Sequence, residues 1–290
     1  MKTGVFGSEC KVDKLPVIKG LFDKLNGLGA EVFIQSSFYS FLDEVFGYTP
    51  VYSGIIENEI SNLDIALSIG GDGTFLRTAL QINKQGIPIL GINTGRLGFL
   101  ADISSNQIDE TLEELFRGDY KIEDRVLLRL CTEERAFSGY NYALNEIAIL
   151  KRDTSSMITI HTLLNDDYLT SYQADGLVVA TPTGSTAYSM SVNGPILLPQ
   201  NKNFILSPVA PHSLNVRPIV IPDDYNITLN VESRTGSFLV ALDGRSEDIP
   251  VGNSLKISKA NFATRVVKRF NQTFYQTLRE KLMWGVDARS

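Results

Sequence analysis

Asp64-Ile65-Ala66-Leu67-Ser68-Ile69-Gly70-Gly71-Asp72-Gly73-Thr74-Phe75-Leu76-Arg77-Thr78-Ala79-Leu80 decides the architecture. An apolar run, a glycine turn and a helix-compatible run follow one another, which reads as buried strand, turn and helix start. Gly70, Gly71 and Gly73 leave little side-chain bulk, so a ligand can approach the backbone. Helix amides near Thr74 would point at that ligand and favour an anion. Asp72 is the one charged side chain of the turn, and a carboxylate is awkward beside a phosphate. Two jobs suit it: taking a proton from an attacking hydroxyl, or holding a metal that bridges phosphates. The plainer alternative is a tight strand-to-helix turn with Asp as a cap.

Outward from this turn the pattern repeats. Lys2 to Gly7 reads as a first strand. Leu15, Ile18, Leu21, Phe22, Leu25 and Leu28 recur at three- and four-residue steps, which predicts a helix ended by Gly29. Glu31 to Gln35 is a second strand, and a less regular stretch runs through Tyr48-Thr49-Pro50. Leu63 to Ile69, Phe75 to Lys84 and Ile87 to Ile92 continue as strand, helix and strand. Such alternation implies right-handed crossovers and a parallel sheet, whose ligands sit at the carboxyl ends of the strands. Asn93 to Leu100 reads as a second loop on that edge, and Ser105 to Phe116 as a helix closed by Gly118.

From about Arg125 the texture changes to short apolar or alternating runs separated by turn residues. These predict an all-β second domain, sandwich-like. Phe274, Leu278, Leu282 and Met283 then predict a terminal helix that returns to the first domain. The expected division is a Rossmann-like α/β domain over 1–120, a β domain over 121–270 and the helix over 271–290.

With 290 residues, 43% of them hydrophobic, two domains of ordinary size can each bury a core. The net charge of -6 argues against nucleic-acid or anionic-membrane binding. Cys10 and Cys131 lack motif spacing, His161 and His212 lack the company of a zinc site, and no long uncharged apolar span occurs. A cytoplasmic protein without a structural metal is expected.

Two further stretches carry chemistry. Thr181-Pro182-Thr183-Gly184-Ser185-Thr186-Ala187-Tyr188-Ser189 holds six hydroxyls, and Ser185 is placed to cap a short helix. Hydroxyls and free amides at a helix start suit sugars and phosphates; a Ser/Thr-rich turn with Tyr188 in the core is the alternative. Asn145-Glu146 lies inside the apolar run Tyr142 to Leu150. Glu146 either faces water or accepts two hydrogen bonds from a vicinal diol such as a ribose. Asp175 is a candidate acceptor or a turn acid before Gly176, Arg77 a phosphate ligand or a solvated helix face, and Leu242-Asp243-Gly244-Arg245 a hairpin turn. Neither G-x-x-x-x-G-K-[ST] nor G-x-G-x-x-G after the first strand is present, which excludes P-loop enzymes and ordinary dehydrogenases.

Taken together, Gly70-Gly71-Asp72-Gly73-Thr74, Asn145-Glu146 and Thr181 to Ser189 resemble the bacterial NAD kinases. Leu97-Gly98-Phe99-Leu100, Pro211-His212-Ser213-Leu214 and Leu242-Asp243-Gly244 extend the resemblance over nearly the whole chain. The resemblance implies transfer of the terminal phosphoryl of ATP to the adenosine-ribose 2′-hydroxyl of NAD, at a site between the two domains. It implies Asp72 as general base with Gly73 beside it, and Asn145 and Glu146 on the ribose or adenine. It implies Asp175, from the facing side or a neighbouring subunit, at the nicotinamide end. Thr186, Ala187, Tyr188, Ser189, Met190 and Ser191 would line the dinucleotide pocket, with Tyr188 stacking. Arg77, Phe99, Ala210 and Arg245 carry over as further NAD contacts. A divalent cation, Mg2+, held with the nucleotide and a homodimer or homotetramer are also implied. The alternatives are a diacylglycerol-type lipid kinase, which has a similar glycine-aspartate turn, and a non-catalytic dinucleotide sensor.

Overall fold

The computed structural model describes residues 1–57, 62–132, 137, 139–153 and 156–285. Two compact units divide the chain, one of residues 1–124 and 264–290, the other of residues 125–263.

In the first unit β1 (Lys2–Gly7), α1 (Leu15–Gly27), β2 (Glu31–Gln35), α2 (Ser36–Phe46), β3 (Gly54–Ile56), β4 (Ile65–Ile69), α3 (Asp72–Ile82), β5 (Ile89–Ile92) and α4 (Ile108–Arg117) follow in order. The strands lie β3-β2-β1-β4-β5, all parallel. Their order reverses at β1, so the carboxyl ends of β1 and β4 border the crevice where such sheets bind ligands. Val5, Ile65, Leu67 and Ile69 pack with Ile18, Leu21, Phe22 and Leu25 of α1 and with Leu112 and Leu115 of α4. On the other face Ser68 meets α3, accepting from Thr78 Oγ1 at 3.1 Å.

Helix α2 departs from the irregular stretch expected there. Its sequence is serine- and aromatic-rich, with weak helix propensity, and only Phe38 and Leu42 are buried. One i, i+4 pair is too little periodicity to reveal a helix; Gly47 at φ 58 ends it in the left-handed region.

The chain enters the second unit along β6 (Tyr120–Thr132) and leaves it along β17 (Leu255–Arg269). Between them come β7 (Tyr142–Ala143), β8 (Glu146–Leu150), β9 (Ile158–Leu164), β10 (Asp167–Ala174), β11 (Gly176–Ala180), α5 (Tyr188–Ser191), β12 (Asn203–Val209), β13 (Ile219–Pro222), β14 (Ile227–Glu232), β15 (Ser237–Leu242) and β16 (Arg245–Pro250). One antiparallel sheet runs β13-β12-β11-β8-β15-β16. The other places β10, β9, β14 and the first residues of β17 side by side. Ile147, Ile149, Leu177, Val179, Phe204 and Val240 of the first share one core with Ile158, Ile160, Ile227, Leu229 and Ile257 of the second, which is the sandwich expected. The tail of β17 and α6 (Phe274–Leu282) return to the first unit, where Val266 pairs with Ile89 beside β5.

The run Tyr142 to Leu150, expected as one strand, is two. It breaks at Leu144-Asn145, so Glu146 opens β8 rather than sitting in mid-strand. Ser185 is likewise not a helix cap. Its hydroxyl is fully buried, donates to Pro182 O at 2.7 Å and accepts from Leu197 N at 3.0 Å, and the helix begins only at Tyr188.

Candidate active site

The glycine turn leaves β4 and opens α3, with Asp72 the first residue of that helix. Gly70 has φ 150, and a Cβ there would overlap Thr74, so glycine is required. Gly71 and Gly73 face open space. Beside them lies a cavity of about 220 Å³ at the carboxyl ends of β1, β4 and β5, lined by Ser8, Gly70, Gly71, Asn93, Gly95 and Arg96 among others. Glu9 and Arg96 both line that cavity and offset one another in charge, so its suitability for anionic oxygen atoms rests on the N-terminus of an eleven-residue helix and bare glycine backbone.

Asp72 turns away from its own helix into the loop after β5. Its Oδ1 accepts from the backbone N–H groups of Leu100 and Ala101, and its Oδ2 from that of Phe99, each at 2.9 Å. Lys281 of α6 donates to Oδ2 at 3.2 Å. Burial alone would raise the carboxyl's pKa, but the amides of Ala101, Phe99 and Leu100 and the ammonium of Lys281 outweigh it and hold Asp72 below the usual carboxylate range. The loop approaches closely because residue 98 is glycine; a Cβ there would overlap Asp72 Oδ1. Gly98→Ala is therefore expected to displace the carboxylate, cost about 1–3 kcal/mol of stability and lower turnover more than that loss explains. A thermal melt alongside kcat checks it, and parent-like turnover would contradict the constraint.

Phe99 supplies one of those amides, and its ring packs 5.8 Å from that of Phe274 with Lys281 Nζ 4.5 Å from its centroid. Arg77 donates to Thr74 Oγ1 at 3.2 Å, and Ser8 Oγ pairs with the same hydroxyl at 2.9 Å. Lys281 was not among the expected residues, being 209 positions from Asp72 in sequence.

In the second unit the centre is the break at Leu144-Asn145-Glu146. Asp243, at the β15–β16 turn, accepts from the N–H groups of all three residues at 2.7, 2.8 and 3.1 Å. The turn is the expected hairpin: Leu242 pairs with Arg245, and Asp243 and Gly244 have φ 47 and 82. Arg245 points to the backbone, donating to Tyr142 O at 2.7 Å and to Tyr140 O. Asn145 is buried, and its carbonyl accepts from Thr181 N at 2.9 Å. The carbonyl also lies where a Cβ of Gly184 would be, so the hydroxyl-rich stretch packs directly on Asn145.

Glu146 accepts from the N–H of Tyr188, yet its Oε2 is buried with no hydrogen-bond partner. Burial, reinforced by the charge of Asp243, pushes its pKa up to about 8. A buried carboxyl oxygen with nothing to accept is the polar vacancy a donor ligand would fill.

The remaining candidates have their own partners. Thr186 Oγ1 donates to Thr183 O at 3.3 Å, and Tyr188 packs on Ala148, Val178, Ala180 and Ile205. Ser189 is fully buried, its hydroxyl 3.2 Å from that of Ser207, while Ser191 is exposed and Ala187 and Met190 are half-buried. Asp175 lies between β10 and β11 and pairs with Lys151 at 2.8 Å. Ala210 follows β12, exposed, at φ 44. Among the described residues no cluster of three or more His, Cys, Asp or Glu side chains could hold a metal ion, and the oxygens of Asp72 are already engaged.

Residues 36–120 match the family model described as the ATP-NAD kinase N-terminal domain, and residues 144–269 that of the C-terminal domain. An NAD kinase of Bacteroides fragilis is 50% identical over 289 residues, covering 100% of each chain. The crystal structure of an NAD kinase from Archaeoglobus fulgidus in complex with ATP aligns with a TM-score of 0.76 at 27% identity, over 98% of this chain and 99% of that one. The crystal structure of yeast NADH kinase complexed with NADH aligns with a TM-score of 0.87 over 99% and 89% of the two chains; at 21% identity it speaks for the fold alone. These matches set the lipid-kinase alternative aside. The chain belongs to the NAD kinase family, the ATP:NAD 2′-phosphotransferases.

Proposed function

We propose that Asp72 takes the proton from the 2′-hydroxyl of the adenosine ribose as this chain transfers the γ-phosphoryl of ATP to NAD, giving NADP and ADP. The observation that carries this reading is the position of Asp72: a charged carboxylate at the head of α3, beside open glycine backbone and an anion-suited cavity. Phosphoryl transfer asks little covalent work of a protein. It needs in-line positioning, charge compensation and an acceptor for the hydroxyl proton. Gly71, Gly73 and Arg96 would cradle the donor's phosphates.

Glu146 holds the sugar in this reading. Its unpartnered Oε2 would accept from a ribose hydroxyl, with Asn145 alongside. Thr186 to Ser191 would border the dinucleotide, with Tyr188 against the base, and Arg77, Phe99, Ala210 and Arg245 would complete the NAD contacts directly or through backbone. Asp175 belongs at the nicotinamide end, contributed within the chain or by a neighbouring copy of a homodimer or homotetramer. A divalent cation, Mg2+, comes with the nucleotide and supplies compensation of phosphate charge. A cytoplasmic setting belongs to this reading, supported by two cysteines without the spacing of a disulfide framework.

Purified protein given NAD, ATP and Mg2+ should form NADP, read with an NADP-specific dehydrogenase. Failure to form NADP from either ATP or polyphosphate, while calorimetry still shows NAD binding, would favour the dinucleotide sensor.

A further inference from the structure

We propose that Lys281 is a displaceable latch on Asp72: it fills the acceptor position that the substrate hydroxyl must use, and it leaves when that hydroxyl arrives. The inference rests on the reading of Asp72 as the proton acceptor.

A carboxylate offers about four lone-pair positions. Oδ1 of Asp72 accepts from Leu100 and Ala101, and Oδ2 from Phe99 and Lys281. All four are filled, so a hydroxyl cannot donate to Asp72 until one donor departs. Three of the donors are backbone amides of a loop pinned by Gly98 N on Ala101 O at 3.0 Å and by Ile103 pairing with Ile92. They move only with the loop. The fourth is the tip of a flexible side chain, at 3.2 Å the longest of the four contacts, from a lysine whose side chain is 29% exposed. Lys281 is the donor that can leave.

A departing ammonium usually faces the full cost of an unpaired charge. Here Nζ already lies 4.5 Å from the centroid of the Phe99 ring, which offers a cation a second partner within reach. The stem is carried by α6, whose Phe274 packs on that ring and whose Thr273 caps the helix by accepting from Gln276 N. A short amphipathic helix thus presents one lysine to the catalytic carboxylate and holds its base in place. The latch also resolves a conflict within the site. A base held by an ammonium and three amides has a depressed proton affinity. Loss of Lys281 from Oδ2 restores part of that affinity at the moment a hydroxyl needs it. Lys281 therefore acts as a positioning residue, not as a catalytic one.

Its test is a double-mutant cycle read as NAD affinity by calorimetry in Lys281→Met, Asp72→Ala and the pair, each checked by thermal melt. With the latch gone, the hydroxyl no longer displaces a charged donor, so Lys281→Met should bind NAD about fivefold tighter than the parent. In the Asp72→Ala background the same change should have no effect. Lys281→Arg, which keeps a cationic donor, should stay within about twofold of the parent, and Lys281→Leu repeats the removal of the donor if the methionine variant does not fold. Weaker or unchanged NAD binding in Lys281→Met, or equal tightening in both backgrounds, would overturn the latch. Tightening in Lys281→Arg would overturn it as well. The proton-acceptor reading fails separately, if Asp72→Asn keeps parent turnover.

Discussion

Asp72→Asn is expected to lower kcat by about 10²–10⁴-fold, the range of a lost general base, while leaving NAD affinity within severalfold of the parent. The amide of asparagine cannot take the hydroxyl proton at any pH used for the assay. Its carbonyl oxygen can still accept from Leu100 and Ala101, so much of the loop attachment survives. Its NH2 group, however, would face two donors, Phe99 N–H and Lys281. Some stability is lost with it, and the pH dependence of that loss is a second readout. The folded pKa of Asp72 lies below its unfolded value of about 3.8. The carboxylate's contribution is thus complete above that value and disappears as pH falls through the lower folded pKa. The asparagine variant should melt below the parent at neutral pH and converge with it in strong acid. Turnover equal to the parent would remove Asp72 from the chemistry, whatever the melts show.

The contrast between Asp72 and Lys281 illustrates what the chain's linear order can reveal. A strand, three glycines and a helix start are local features, and the backbone freedom they need is written in residues 65–80. The parallel alternation of β1, β2, β4 and β5 was legible for the same reason, as was the hairpin at Asp243-Gly244. Partners brought by topology were not. Lys281 reaches Asp72 from a helix 209 residues away, and its four-residue neighbourhood looks like any solvated amphipathic face. Asp243 reads as a turn residue, yet its side chain collects the amides of Leu144, Asn145 and Glu146 and so creates the break that positions Glu146. A run of apolar residues carries no mark of such an interruption. Strand β17 escaped the apolar-run criterion because lysines and arginines recur along it, and β10 because its outward residues are polar or exposed. The glycines at 98 and 184 were the available clues, since each marks a place where a second segment must come close.

Glu146→Gln is expected to weaken NAD binding by about tenfold or more and, at the same time, to make the protein more stable in alkali. Both effects follow from one buried oxygen. In the free chain Oε2 has no partner, and burial with the neighbouring Asp243 places the carboxyl's pKa at about 8 against an ordinary 4.5. Folding therefore favours the protonated form. Its stabilising contribution is complete below the unfolded pKa of 4.5 and is lost as pH rises through 8. A shift of that size corresponds to a few kcal/mol at pH 9, and glutamine, which never ionises, would not lose it. The melting temperatures of parent and variant should lie close together at pH 5 and diverge at pH 9, with the glutamine variant higher. Ribose hydroxyls donating to Glu146 would favour the carboxylate instead, so NAD binding near pH 7 should release a proton from the parent. Calorimetry in two buffers of different ionisation enthalpy reads that proton directly. The variant should bind weakly and release none. Unaltered affinity together with unaltered proton release would take the sugar away from Glu146 and leave its raised pKa as a property of the fold.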